Sequence, residues 1–332
     1  MNGNVSVAPA SVTKVITALY ALDVFGANHR FRTRLIATGN ITGEVVQGAL
    51  ILVGGGNPML TTADLAKIAG QLKAAGLTEV KGKFLVYDGA LPRVKTIDKD
   101  QTVHAGYSPA VGGIALNYNR IHFEWRRKSG QYSTTMDART AKYRPDVVMA
   151  KTKIANRSSP VFTYVHKGGA DNWSVAGGAL GSGGARWLPF RNPALYAADV
   201  FATMAGAQGI RLQPVKVVNR ISAGTALVTH QSVPLREILR DMLKYSINLT
   251  AEMVGLAAMV KRRGKVGGLR SSANEMNAWT RSALDVQGMR LVDHSGLGAA
   301  NRMTTDAMVG ALVEAYGSNA LRPIFESIAV RE

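Results

Sequence analysis

The densest cluster of apolar residues lies between residues 10 and 25. Apolar side chains there recur on more than one face of a helix, which is typical of a helix buried on most sides. Pro9 suits a first helical turn and Gly26 suits a helix end. We therefore predict a central, buried helix whose apolar positions are Val12, Val15, Ile16, Leu19, Leu22 and Phe25.

The periodicity changes after residue 30. Residues 31–53 alternate between apolar and polar positions and contain glycine-rich turns, which predicts a strand, a hairpin and another strand. The next segment, LTTADLAKIAGQLKAAGL (60–77), is amphipathic with a helical period. A threonine near its start and Gly76 near its end fit a helix cap and a stop, so we predict a helix there.

Residues 79–220 consist mainly of short apolar segments separated by glycine, proline and asparagine, as in strand-rich regions. We predict one helix within them, at NPALYAADVFATMAGAQG (192–209), whereas GGALGSGGARWLPF (177–190) has the composition of a loop. The clearest strand candidates are GKFLVYDG (82–89), GIALNYNRIHFEW (113–125), SPVFTYVHKGG (159–169) and PVKVVNRI (214–221).

From Pro234 onward the helical period returns, in PLREILRDMLKYS, LTAEMVGLAAMVKRR and SSANEMNAWTRSALDVQG. A helix, a long strand-rich section and then several helices indicate an α+β chain in which a core domain is interrupted by an insertion. We predict a discontinuous core domain at residues 1–35 and 222–332. The inserted β-rich part is predicted at 36–221, with a nested subdomain near 118–175.

Composition and charge narrow the classes of protein. The 332 residues, 46% of them hydrophobic, are enough for one large domain or two to three smaller ones. Forty Lys and Arg against 22 Asp and Glu give a net charge of +18, which favours polyanions such as nucleic acid, anionic lipid or cell wall. The absence of cysteine excludes disulfides, thiol catalysis and cysteine-ligated metals. The sequence contains no transmembrane run and no recognisable signal peptide, and we expect residues to be missing upstream.

Ser11 and Lys14 are the first candidates for chemistry. They are spaced i, i+3 at the head of the most apolar predicted helix, so both side chains face the same way. A serine hydroxyl needs a base to become a nucleophile, and a lysine can serve as that base when burial lowers its pKa. The S-x-x-K pattern occurs once in the chain. On this motif alone, a helix cap followed by a surface lysine remains an equal alternative.

Enzymes of this serine/lysine type also use a second hydroxyl and an amide, often in an S-x-N motif, together with a K-T-G strand. Two S-x-N tripeptides are present. Ser246–Asn248 falls in a predicted break between two helices, where side chains can reach a cleft, whereas Ser272–Asn274 falls inside a predicted helix. We select Ser246 to relay a proton towards the leaving group and Asn248 to bind the substrate peptide. A helix cap is the commoner reading of an isolated S-x-N.

Together these segments resemble the D-alanyl-D-alanine carboxypeptidase/endopeptidase family of class C low-molecular-mass penicillin-binding proteins, serine peptidase family S13. The resemblance runs from about residue 8 to the C-terminus. It rests, in order, on PASVTKVITALYAL, HRFRTRLIATG, LVGGGNPMLTTADLAKIAGQLKAAGL, KGKFLVYDGAL, GYSPAVGGIALNYNRI, MLKYSINLTAEMVG and VDHSGLGAANRMTT.

The resemblance implies a transpeptidase core of the penicillin-binding-protein and serine β-lactamase type, α/β/α in architecture, with a strand-rich insertion. It implies that Ser11 is the nucleophile, that Lys14 is its base, and that Ser246 and Asn248 form the second motif. Tyr107, in GYSPAVGG, matches an aromatic residue that approaches the substrate. The implied reaction cleaves D-Ala peptides of peptidoglycan in the periplasm, with β-lactams as covalent inhibitors and no cofactor.

The sequence departs from the family pattern in three respects. No K-T-G tripeptide occurs, the strands before the S-x-x-K helix are almost absent, and Ile247 and His294 replace the common Asp and Gly. The K-T-G strand binds the substrate carboxylate and supplies an oxyanion donor, and losing one such donor typically costs about 10²–10³ in rate. We therefore expect a chain truncated at both ends and of doubtful activity.

Other functional classes receive less support. The six histidines show no metal-binding spacing, and no G-x-S-x-G or P-loop motif is present. The basic clusters RRK (126–128) and KRRGK (261–265) are best explained as solvated surface, with peripheral contact to anionic wall or membrane polymer as the second interpretation. No nucleic-acid-binding module is visible. The main alternative is a degenerate relative that binds peptidoglycan without turning it over.

Overall fold

The computed structural model describes residues 2–264, 267–317 and 321–329; Lys265 of the second basic cluster lies outside them. The helices are α1 (Thr13–Phe25), α2 (Thr62–Ala74), α3 (Pro193–Ala207), α4 (Leu235–Tyr245), α5 (Asn248–Arg263), α6 (Leu269–Ala283), α7 (Thr305–Gly317) and α8 (Arg322–Ala329). The strands are β1 (Ser6–Val7), β2 (Arg32–Ala37), β3 (Ile41–Thr42), β4 (Val45–Val46), β5 (Leu50–Gly54), β6 (Glu79–Val80), β7 (Phe84–Tyr87), β8 (Arg120–Lys128), β9 (Gln131–Asp137), β10 (Ala150–Ala155), β11 (Phe162–Lys167), β12 (Ala170–Ala176), β13 (Gly183–Pro189), β14 (Val215–Val218), β15 (Thr225–Gln231), β16 (Met289–Arg290) and β17 (Arg302–Thr304).

The predicted central helix is confirmed as α1. A single 3₁₀ turn, Ala10–Val12, leads into it, and it ends at Gly26. Ile16 and Tyr20 are fully buried, because α1 is surrounded by α4, α5 and α6. The all-round apolar pattern arises from this position inside a helical layer.

The largest sheet has five strands, in the order β14-β7-β5-β2-β15. β5, β7 and β14 are parallel, whereas β2 runs antiparallel to both β5 and β15. The predicted strand, hairpin and strand are confirmed as β2 to β5. α2 packs against α3 and β15, and its predicted cap is a capping box in which Thr61 and Asp64 satisfy each other's backbone N–H groups.

Among the described residues, four three-stranded sheets complete the fold. Two of them, β13-β8-β9 and β10-β12-β11, are built from residues between 120 and 189. The other two are the small sheets β3-β4-β6 and β1-β17-β16. Helices and sheets thus occupy largely separate parts of the chain, which confirms the α+β class.

The buried apolar residues form two main cores. One contains α2, α3, the five-stranded sheet and the strand-rich region, while the other contains α1 and the C-terminal helices. β2 spans the predicted boundary between residues 35 and 36 and joins β15, which follows residue 221, to β5. The division into 1–35 with 222–332 and 36–221 stays a prediction.

The prediction of a loop at 177–190 is wrong for its second half. Gly183–Pro189 forms β13, which pairs antiparallel with β8 along its whole length. Gly184 is required by packing, because a Cβ there would come within 2.5 Å of the Trp125 ring. At that position glycine reflects the close approach of an aromatic side chain on the neighbouring strand.

The predicted strand at 113–125 is correct only from Arg120 onward. Asn117, Tyr118 and Asn119 adopt consecutive positive φ angles of 47°, 58° and 52°. Asparagine side chains stabilise this turn, because Asn119 Oδ1 accepts from the Leu116 N–H and Asn119 Nδ2 donates to the Ala110 carbonyl. Side-chain bonds of this kind replace the ladder bonds of a strand.

Candidate active site

Ser11 lies in the 3₁₀ turn immediately before α1, and Lys14 lies in the first turn of that helix. The Ser11 side chain is exposed, whereas Lys14 is only 1% exposed. Lys14 Nζ lies 3.2 Å from Ser11 Oγ, as the i, i+3 spacing predicts. The pair thus consists of an accessible hydroxyl and a buried amine.

Ser246 joins this pair from a distant part of the sequence. It lies in the break between α4 and α5, in the left-handed conformation with φ of 53°. Its Oγ donates to Ser11 Oγ at 2.8 Å. The structure therefore brings together the three residues predicted to be catalytic, while their catalytic roles stay predictions.

Asn248 and Tyr107 meet at the edge of the same site. Asn248, the first residue of α5, donates from Nδ2 to the Tyr107 carbonyl at 3.0 Å. The Tyr107 hydroxyl donates to Gln101 Oε1, and the ring is 53% exposed. Ser246, Asn248 and Tyr107 all line a cavity of about 390 Å³. Their predicted roles in substrate binding remain predictions.

Burial controls the electrostatics of Lys14. It lowers the pKa of Lys14 to about 8, while the charges of Glu252 and Asp293 act in the opposite direction. Lys14 Nζ also donates to the Ser295 carbonyl at 2.8 Å. A substantial fraction of Lys14 is therefore neutral near physiological pH. The amine is held in a fixed position beside the hydroxyl of Ser11.

The loop that carries Ser295 is held by a buried carboxylate. Glu252, within α5 and fully buried, accepts the backbone N–H of His294 and that of Ser295, the latter at 2.8 Å. Burial, followed by the nearby charge of Asp293, raises the pKa of the Glu252 carboxyl. Glu252 thus fixes the peptide whose carbonyl contacts Lys14.

The same loop closes on itself and on the turn that carries Ser11. Asp293 accepts the N–H of Gly296 and of Gly298, each at 2.7 Å. Gly296 has a φ of 78°, and a Cβ there would lie 1.7 Å from the Ala10 carbonyl oxygen. The loop and the 3₁₀ turn therefore touch backbone to backbone, directly before Ser11.

The second S-x-N tripeptide has a structural explanation. Ser272 lies inside α6, as predicted, and its Oγ is 2.7 Å from Nε2 of His294. Burial lowers the pKa of His294 to about 3, so the imidazole is neutral at ordinary pH. Ser272 and His294 thus form a buried polar contact between α6 and the loop that carries Ser295. Neither side chain hydrogen-bonds to Ser11.

Sequence reasoning missed the residues that support Lys14: Glu252, Asp293 and Ser295. Glu252 does leave a signal, because it is an isolated acid in the apolar segment LTAEMVGLAAMV, four residues after Asn248. That spacing places both residues on one face of the helix. Ser295 leaves no signal of its own, since it acts through a main-chain carbonyl.

The arrangement suits transfer of an acyl group to an oxygen nucleophile. An accessible hydroxyl lies within hydrogen-bond distance of both a buried amine and a second hydroxyl. Among the described residues, no set of three or more His, Asp or Glu side chains is placed to hold a metal ion. In the same residues, no helix has both the length and the apolar character needed to cross a bilayer.

Comparison with known proteins identifies the family of the chain. The profile of the D-Ala-D-Ala carboxypeptidase 3 (S13) family matches residues 1–331. The D-alanyl-D-alanine carboxypeptidase of Actinomadura sp. (strain R39) is 24% identical over 331 residues, which cover 95% of this chain and 61% of that protein. D-alanyl-D-alanine carboxypeptidase DacB of Haemophilus influenzae is also 24% identical, over 94% of this chain and 66% of that protein. The chain thus spans about three-fifths to two-thirds of the length of these curated relatives.

Solved structures show the same fold. Penicillin-binding protein 4 (dacB) of Haemophilus influenzae superimposes with a TM-score of 0.81 at 20% identity, over 97% of this chain and 73% of that chain. The same protein complexed with a β-lactam superimposes with a TM-score of 0.78 at 19% identity, over 100% of this chain and 72% of that chain. The fold predicted from the sequence resemblance is therefore confirmed.

Proposed function

Because the chain belongs to the D-Ala-D-Ala carboxypeptidase 3 (S13) family, we propose that it cleaves D-alanyl-D-alanine bonds in peptidoglycan stem peptides through an ester on Ser11. One observation carries the proposal. Ser11 Oγ lies within hydrogen-bond distance of both Lys14 Nζ, at 3.2 Å, and Ser246 Oγ, at 2.8 Å. A base and a proton relay thus flank one accessible hydroxyl.

Acylation begins with a neutral Lys14. Its amine takes the proton of the Ser11 hydroxyl, and Ser11 Oγ attacks the carbonyl carbon of the penultimate D-Ala. The C–N bond then breaks, and the leaving amine receives the proton through Ser246 Oγ. The product is a peptidyl ester on Ser11, with Lys14 again neutral.

Deacylation reverses the proton movements. Lys14 or Ser246 takes a proton from a water molecule, which attacks the ester carbonyl, and the peptide leaves as a carboxylic acid while Ser11 regains its proton. A terminal D-Ala as the leaving group makes this a carboxypeptidase, and a cross-linked peptide makes it an endopeptidase. The same nucleophile can attack and open a β-lactam ring, and the Haemophilus penicillin-binding protein has been solved in complex with a β-lactam.

The proposed substrate sets the proposed location and partners. Peptidoglycan peptides lie outside the cytoplasmic membrane, so we place the working protein in the periplasm or at the cell wall. The net charge of +18 favours contact with anionic wall or membrane polymers. A specific nucleic-acid partner and a cofactor have no place in this reaction.

A second candidate function is binding of wall peptides without turnover. One observation favours it: Ile247 and His294 stand where the family pattern commonly has Asp and Gly. Ser11, Lys14 and Ser246 would then hold a peptide without cleaving it.

Incubation with benzylpenicillin followed by intact-mass measurement and peptide mapping separates these functions. The acyl-enzyme proposal expects one adduct, located on Ser11, and no adduct in a Ser11→Ala variant. Release of D-Ala from a D-Ala-D-Ala peptide then shows turnover. A folded protein that binds the peptide but forms no adduct and releases no D-Ala supports the second candidate and contradicts the first.

A further inference from the structure

Arg120 places an uncompensated charge in the cavity beside Ser246. The residue is the first of β8 and lines the cavity of about 390 Å³ together with Ser246, Asn248 and Tyr107. A cavity of this size is in the range of small-molecule sites, roughly 300–1,000 Å³. Because Ser246 also contacts Ser11, a ligand that fills the cavity can be continuous with the group that reacts at Ser11.

The Arg120 guanidinium forms neither an ion pair nor a hydrogen bond with any described residue. No carboxylate among residues 2–264, 267–317 and 321–329 forms an ion pair with it, and no described acceptor takes a hydrogen bond from it. Asp241, whose charge acts on Tyr118 in the same cavity, is ion-paired with Arg240 at 2.8 Å. Burial lowers the pKa of Arg120, and the smaller opposing effect comes from the Tyr118 phenol, not from a carboxylate. A half-buried cation without a partner is unfavourable, and an anion from outside would relieve it.

Two aromatic rings position the Arg120 guanidinium before any ligand binds. Its central carbon lies 5.3 Å from the centre of the Tyr118 ring and 5.8 Å from the centre of the Trp187 ring. Nε is enclosed and lacks an acceptor, whereas the two terminal nitrogens are not among the enclosed atoms. Those two nitrogens can therefore bind a carboxylate through two parallel hydrogen bonds.

We propose that Arg120 binds a free carboxylate of the wall peptide, on the part of the peptide that becomes attached to Ser11. Asn248, which lines the same cavity, is the amide proposed to hold the peptide backbone, so the carboxylate belongs to that peptide rather than to a separate ion. The assignment rests on the proposed function of the site and specifies its substrate. A wall peptide with that carboxylate amidated is a poorer ligand.

Equilibrium binding of two tripeptides to a Ser11→Ala protein tests the assignment without turnover. The probes are acetyl-L-Glu-D-Ala-D-Ala and acetyl-L-Gln-D-Ala-D-Ala, which differ only in one carboxylate. A hydrogen-bonded, partly buried charge pair predicts that the Glu peptide binds about 10- to 100-fold more tightly. Arg120→Gln in the Ser11→Ala background should remove this preference, and Arg120→Lys should retain part of it.

Arg127→Gln is the matched control. It removes the same charge from the exposed end of the same strand, where Arg127 contacts the Tyr132 ring, and should leave the preference intact. The assignment is overturned when neither peptide binds, when both bind equally, or when Arg120→Gln leaves the preference unchanged. Circular dichroism of each variant checks that the fold is retained.

The benzylpenicillin adduct distinguishes failure of this assignment from failure of the proposed function. An adduct on Ser11 without a preference for the Glu peptide contradicts the role of Arg120 alone. A preference that depends on Arg120 without an adduct leaves the carboxylate site in place and contradicts the acyl-enzyme proposal.

Discussion

Lys14 combines two properties that are rarely found together in one side chain. It is almost completely buried, and its Nζ contacts both a candidate nucleophile and the Ser295 carbonyl. Burial favours the neutral amine, whereas Glu252 and Asp293 favour the charged form. The balance leaves the pKa of Lys14 at about 8, close to the value that a general base needs for work near neutral pH.

We predict that the rate of acylation of Ser11 by benzylpenicillin rises with pH and levels off above about 8. Below the Lys14 pKa of about 8 the amine is protonated and cannot accept the serine proton, so the rate falls as pH decreases. The measurement is the rate of adduct formation by mass spectrometry between about pH 6 and 9. Lys14→Gln should reduce that rate by about 10²–10⁴. A rate independent of pH in the parent protein contradicts the assignment of Lys14 as the base.

We predict that Glu252→Gln shifts this pH profile towards lower pH. The negative charge of Glu252 raises the pKa of Lys14, so removing the charge lets Lys14 lose its proton more easily. The size of the side chain is retained, and one oxygen can still accept from the loop. The same adduct assay over the same pH range measures the shift.

Glu275→Gln is the control for Glu252→Gln. Glu275 lies on α6 and pairs with Arg262 and Arg263 at the surface, so its replacement changes net charge equally without touching the loop. An unshifted profile in Glu252→Gln, or an equal shift in both variants, means that Glu252 does not act on Lys14.

At the scale of elements, the site is assembled where three irregular segments meet. The 3₁₀ turn before α1 carries Ser11, the break between α4 and α5 carries Ser246, and the loop after β16 carries Ser295. Each segment is anchored by a regular element on at least one side. The turn and the loop touch at Gly296, where only a residue without a side chain fits against the Ala10 carbonyl.

We predict that Gly296→Ala destabilises the protein more than Gly209→Ala and slows acylation of Ser11. Both glycines have a positive φ, 78° at Gly296 and 76° at Gly209, so each substitution carries the left-handed cost of about 1–2 kcal/mol. A Cβ at Gly209 meets nothing within 4 Å, whereas one at Gly296 would lie 1.7 Å from the Ala10 carbonyl oxygen. Urea denaturation and the adduct assay measure the two effects. Equal losses of stability, with acylation unchanged, would show that the contact with the turn has no role.

At the scale of the whole molecule, the main property is a large excess of positive charge. Lys and Arg exceed Asp and Glu by 40 to 22. Such a surface attracts polyanions over several ångströms, and the attraction is screened by salt. The reaction that we propose takes place on an insoluble polymer, to which a positive surface would hold the protein.

We predict that the protein sediments with isolated peptidoglycan sacculi at low salt and is released as salt increases. The bound fraction should fall between about 50 and 500 mM NaCl, because the Debye length shortens from above 10 Å to below 5 Å. Microcrystalline cellulose, an uncharged polysaccharide, serves as the control and should bind little at any salt concentration. Sedimentation with sacculi that does not change with salt would contradict an electrostatic origin.

Local sequence patterns predicted most of the elements. The buried α1, the capped α2 and the helices α4, α5 and α6 follow from apolar spacing and from capping residues that act within a few positions, whereas α7 and α8 were not predicted. β13 was missed, because its Gly184 fits against the Trp125 ring on a strand about sixty positions earlier in the sequence. The turn at Asn117–Asn119 was missed because asparagine side chains bond to backbone groups that periodicity does not describe.

By itself, the sequence determined most of the helices and strands and their order, the shared direction of Ser11 and Lys14, and the resemblance that led to the family. All three depend on short-range spacing or on recognisable segments. Only the tertiary structure decided that Ser246 meets Ser11 across 235 positions, that the Ser295 carbonyl contacts Lys14 across 281, and that Glu252 holds the loop between them. It also decided that Arg120 faces a cavity with no polar partner among the described residues. Contacts at such separations form when the cores pack, and no local pattern of side chains encodes them.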